Sequence, residues 1–195
     1  MLSSGRGYGL KTLVYIAAYV FPSALVWGMI GIALRPLGSV PWLVALLAWA
    51  YALYFGILEA LGLPLRVPGL AWQVPSGWVS GRPAMLQALI WGTTLGPGLL
   101  TKNPYAGMWL LPFLLALNHG WMIAMAVGTA VGVAHGGARV LGVLSNRRYM
   151  DADVNFAHFK ILAAELHWLY IDGLALLLAA GALAAYILSL LGAHL

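Results

Sequence analysis

Residues Arg82 to Gly120 read RPAMLQALIWGTTLGPGLLTKNPYAGMWLLPFLLALNHG. The stretch is apolar enough to enter a bilayer. A straight crossing takes about 20 residues, so it is too long for one helix and too short for two comfortable ones. Gly96-Pro97-Gly98 and Lys102-Asn103-Pro104 interrupt its middle. Irregular backbone at membrane depth is tolerated only where protein or water shields it. The interruption is therefore a candidate site, and Lys102 is the cation it carries.

The rest of the chain agrees with a membrane setting. Of 195 residues 63% are hydrophobic and 8% charged, where ordinary soluble domains carry about 25% charge. Mean hydropathy is +0.90. These values predict an all-α, polytopic membrane helix bundle forming a single transmembrane domain. The net charge of +5 does not point to nucleic acid, because the basic residues are scattered between apolar segments. The chain has no cysteine, which excludes thiolate metal sites, disulfides and a thiol relay within it.

Hydropathy and turn signals give five spans, at about 10–34, 40–63, 84–118, 121–144 and 165–191. The first is read as a retained helix, not a removed signal peptide. Pro22 stands inside it, and Arg35-Pro36-Leu37-Gly38 ends it. Residues 64–83, rich in Pro, Gly and Trp, read as an interfacial loop. The last apolar helix begins near Val154, with its first third along the interface. Charge decides how often the third segment crosses. With one broken crossing and the N-terminus inside, Arg6, Lys11, Arg66, Arg82, Arg139, Arg147, Arg148 and Lys160 fall on or near the cytoplasmic side. Two crossings would move Arg147 and Arg148 to the opposite side from Arg66 and Arg82. The positive-inside rule favours one crossing. The expectation is a cytoplasmic (inner) membrane protein, N-terminus inside and C-terminus outside.

Lys102 and Glu59 are the ionisable residues expected within the spans. Such groups are costly in lipid and face a cavity or a partner. Glu59 lies about one turn from the inner end of its helix, so reaching the interface is the alternative. A half-helix ending near Gly98 would turn its last carbonyls toward the Lys102 ammonium. Gly96, Pro97, Gly98, Lys102, Asn103 and Glu59 thus form the candidate substrate-binding set, for an anionic or carbonyl-bearing solute. Structural satisfaction of a broken backbone is the plainer alternative.

Gly120, Ala124, Gly128, Gly132 and Gly136 recur every four residues. They make a small-residue face on one helix, as close helix packing in membranes requires. It serves intramolecular packing, a dimer seam, or contact with a ligand. His119 and His135 lie sixteen residues apart, about 24 Å by helix rise. They cannot share a metal, though either could ligate a haem or chlorophyll. No cofactor is expected on balance. His158, Glu165 and Asp172 repeat every seven residues but extend about 21 Å, which excludes one shared metal. No nucleophile elbow, phosphate loop, metal cluster or carboxylate pair at working distance is legible, so nothing supports an enzyme.

From Arg82 onward the order of features resembles the second half of the CcdA/DsbD-type membrane domain. Arg82-Pro83 stands as the basic linker and Trp91 to Pro104 as the helix broken by Gly and Pro. The Gly128 to Gly136 face follows, then Asp172-Gly173 leading into Leu174 to Gly181. The resemblance covers residues 82–191 and implies a scaffold. It departs at the chemistry: the redox cysteines are absent, glycine and proline occupy Leu95 to Gly98, and the first half has two helices instead of three. Electron transfer through thiols is not implied, and no functional residue carries over.

Two functions are expected ahead of others. One is a small transporter-like or solute-binding protein with its site at the broken third segment. The alternative is an accessory subunit of a larger membrane complex. A haem- or pigment-binding electron-transfer subunit is third. The expected partners are the lipid bilayer and other membrane chains or further copies of this one.

Overall fold

The computed structural model describes residues 8–63, 74–99, 106–118, 120–149 and 154–192, and every regular element among them is helical. Helix α1 covers Tyr8–Ala33, α2 Pro41–Ala60, α3 Ser76–Val79, α4 Ala84–Leu95, α5 Leu111–Asn118, α6 Trp121–Tyr149 and α7 Val154–Gly192. Short 3-10 turns at Arg35–Ser39 and Gly107–Leu110 lead into α2 and α5. Among the described residues of the stretch 84–118, α4 ends at Leu95 and the turn with α5 starts at Gly107. Helix α6 runs five residues past the expected Leu144, and α2 stops at Ala60, short of Leu63. Leu61 and Gly62 close α2, with Gly62 at φ 64° accepting the left-handed turn.

Among the described residues three helices are long and apolar enough to cross a membrane: Leu13–Ala33, Pro41–Ala60 and His167–Gly192. Their outward faces carry large apolar side chains. Phe21 is 68% exposed, Met29 69% and Leu178 77%. Apolar faces of this extent are unfavourable against water and suit a lipid surround.

The chain packs as two compact units, each drawn from three stretches of sequence. One comprises Met1–Ile30, Gly69–Lys102 and Trp121–Asp151; the other comprises Gly31–Pro68, Asn103–Gly120 and Ala152–Leu195. In the first unit α6 lies antiparallel on α1. Gly128 meets Ser23, Ala24 and Trp27, Gly132 meets Tyr19, Val20 and Ser23, and Gly136 meets Tyr19 and Ile16. A Cβ at Gly132 would stand 2.6 Å from the Val20 Cα and 2.8 Å from the Tyr19 carbonyl oxygen, so the two backbones are nearly in contact. Ala124 is buried on the same face and Gly120 precedes the helix. Pro22 removes an N–H, which leaves the Ala18 carbonyl without its intrahelical donor. Gly92 of α4 sits directly on that carbonyl, where its Cα–H is the available weak donor.

In the second unit α2 and α7 are antiparallel neighbours. Gly56 faces Leu176 and Leu177, Gly173 faces Glu59 and Ala60, and Pro41, Trp42 and Leu46 share a groove with Ile187, Leu190 and Leu191. The core between them joins Ala48, Ala52, Leu176, Ala180 and Leu183 to Ala106 and Leu110 of the 3-10 turn. Small alanines on α2 let α7 and the turn approach closely.

Candidate functional site

The end of α4 and the start of the turn that leads into α5 each leave backbone groups without partners in their own helix. At the α4 end, in the first unit, the orphan groups are carbonyls. Gly98, at φ 74°, donates its N–H to the Leu95 carbonyl at 3.0 Å. The Trp27 indole donates to the Pro97 carbonyl at 3.1 Å, in a buried setting. His135 Nδ1 lies 3.2 Å from the Gly96 carbonyl, and since a carbonyl only accepts, this nitrogen carries the proton. These carbonyls are thus taken by Trp27 and His135. Sequence reasoning had turned them toward Lys102. Lys102 and Asn103 lie outside the described residues, as does His119.

At the α5 end, in the second unit, the orphan groups are N–H donors. Ala106 donates to Glu59 Oε1 at 2.8 Å, and Gly107 donates to Asp172 Oδ2 at 2.8 Å. Tyr51 donates its hydroxyl to the Ala106 carbonyl at 2.9 Å. Two carboxyls from two helices therefore cap consecutive amides at the start of a third, where negative charge also suits the helix dipole. Glu59 is wholly buried. Its backbone and Cβ lie against Gly173, where any side chain on that glycine would strike the α2 main chain. Gly107 has the same role toward Asp172, whose Oδ1 occupies the space a Cβ would need.

The two carboxyls thus converge on the amides of consecutive residues. Among the described residues no donor reaches Glu59 Oε2, which is buried. A carboxylate accepts and never donates, so the pair can share a hydrogen bond only when one of them is protonated. Sequence reasoning found no carboxyl pair at working distance. It had Glu59 alone, and placed Asp172 on a face with His158 and Glu165. The signal available was Asp172-Gly173 inside an apolar helix, an acid beside a residue with no side chain.

Among the described residues no three His, Cys, Asp or Glu side chains gather as metal ligands. His135, with Nδ1 donating to a carbonyl, presents Nε2 as the lone-pair nitrogen, the tautomer a metal-ligating histidine adopts; no second ligand stands beside it among the described residues. Comparison with protein-family models, with curated proteins and with solved structures finds no match.

Proposed function

We propose that this chain is a small multi-pass membrane protein of the transporter-like, solute-binding kind, with its site at the interruption between α4 and α5. In this reading the protein crosses the cytoplasmic membrane five times, N-terminus inside, and residues 84–118 form one broken crossing. The observation that supports it most is the double capping of Ala106 and Gly107 by Glu59 and Asp172. Ionisable groups buried among membrane helices are expensive and are typically tied to function. Discontinuous helices whose ends meet such groups are how many transporters hold their solutes. Gly96, Pro97, Gly98, Lys102 and Asn103 are the residues proposed from the sequence to meet an anionic or carbonyl-bearing solute, with Lys102 as its counter-ion.

The test is a stability screen of the purified full-length protein against acetate, inorganic phosphate, sulfate and amino acids. One class should raise the unfolding midpoint of the wild type and leave Lys102→Met unmoved. Equal stabilisation of both proteins would remove Lys102 from the site, and no stabilisation by any class would count against solute binding there.

A further inference from the structure

We infer that Glu59 and Asp172 form a binding site for a single proton, which ties α2 and α7 to the 3-10 turn that leads into α5. The inference goes beyond the solute-binding reading and stands whether or not a solute binds. Three features point to it. The carboxyls come from different helices, α2 and α7, and converge on the consecutive residues Ala106 and Gly107. Glu59 is wholly buried, and its Oε2 has no donor among the described residues. The remaining polar contacts are backbone N–H groups, one on each carboxyl.

These contacts select among ligands. A sodium or calcium ion needs oxygens turned toward it, whereas here an N–H dipole is aimed at each carboxyl, its positive end inward. Both carboxyls ionised would place two negative charges against each other in a poorly hydrated setting. One proton removes this conflict. It turns one carboxyl into a donor for the other and leaves one net negative charge, matched by two N–H donors. Among the described residues Tyr51 is the other titratable group near the pair, its hydroxyl donating to the Ala106 carbonyl at 2.9 Å. On α7, His167 and Tyr170 are exposed; on α2, Tyr54 is exposed; the turn and α5 contribute no titratable side chain, and Arg35 lies beyond the opposite end of α2.

The sign of the pH effect follows. The folded protein holds one proton on the pair. The unfolded chain, above the ordinary carboxylate range of about 4, holds none. Stability then falls as pH rises, with the folding constant dropping about tenfold per pH unit until the pair loses its proton. Glu59→Gln separates this from a merely structural role. Its amide oxygen can still accept from Ala106, its amide nitrogen can donate to Asp172, and the net charge stays at minus one.

The experiment compares wild type, Glu59→Gln and Asp172→Asn as full-length proteins in detergent micelles. It reads the unfolding equilibrium from pH 6 to 9 (about three pH units, hence up to about a thousandfold change) and the infrared C=O stretch of protonated carboxyls. The wild type should show a deuterium-sensitive protonated-carboxyl band at neutral pH, absent from both variants, and a falling stability that flattens in both. A wild type without that band, or with the same pH slope as Glu59→Gln, overturns the inference. If an amide variant fails to fold, the wild-type band and slope decide alone. A third arm exchanges sodium for choline chloride: equal stability supports a proton, and rescue by sodium at alkaline pH overturns it.

Discussion

Replacing Gly132 by alanine tests the packing of α6 on α1 at its tightest point. The new Cβ would stand 2.6 Å from the Val20 Cα, 2.8 Å from the Tyr19 carbonyl oxygen and 3.0 Å from the Ser23 Cβ. Comfortable carbon–carbon contact is about 3.5–4.0 Å, so the helices must separate by roughly 1 Å. Two of the three neighbours are backbone atoms, and no rotamer change relieves them. Overpacking of this kind costs about 1–3 kcal/mol, and separation also weakens the contacts at Gly128 and Gly136. Against this, alanine favours a helix over glycine by about 1 kcal/mol. The net loss is about 1 kcal/mol, or roughly a fivefold drop in the folding constant. Gly137 is the internal control: nothing lies within 4 Å of its Cβ position, so Gly137→Ala should be neutral or stabilising by up to about 1 kcal/mol. Tryptophan fluorescence during unfolding by SDS in mixed micelles measures both. Gly132→Ala as stable as Gly137→Ala would refute the close approach of the two helices.

Further outcomes follow from the same contacts and from the proposed topology. Trp27→Phe removes the donor to the buried Pro97 carbonyl and should cost about 1–3 kcal/mol, measured by the same titration; an unchanged midpoint would show that the carbonyl has another partner. Because the chain has no cysteine, single cysteines report sidedness cleanly. A membrane-impermeant thiol reagent applied to intact cells should label Ser39→Cys and spare Ser145→Cys until the membrane is opened, and the reverse pattern would invert the orientation. Purification in mild detergent should yield this chain without unrelated subunits; stoichiometric foreign chains would favour the accessory-subunit alternative.

The long helices were legible because their signal is local. Runs of apolar residues near bilayer length, closed by Arg35-Pro36 or by Gly62, mark α1, α2 and α7 in one pass. The small-residue face of α6 was also legible, since a spacing of four is visible in any helix. Its partner was not, because nothing local to Gly128 or Gly132 names α1. The same limit hid the carboxyl pair. Glu59 stood out as an acid in an apolar helix, but its meeting with Asp172 depends on the antiparallel register of α2 and α7. That register is set by Gly56 against Leu176 and Gly173 against Glu59, contacts more than a hundred residues apart. The carbonyls after Leu95 show the same limit. Trp27 and His135, which donate to two of them, stand on other helices, and nothing local to Gly96-Pro97-Gly98 names them.

Hydrogen exchange at the amides of Ala106 and Gly107, in protein labelled with ¹⁵N-alanine and ¹⁵N-glycine, tests most directly whether the two carboxyls hold the start of α5. Both amides should exchange slowly in the wild type. Glu59→Leu should release Ala106 and Asp172→Leu should release Gly107, each before global unfolding. Fast exchange in the wild type, or protection that survives loss of both carboxyls, would contradict the capping on which the site is built.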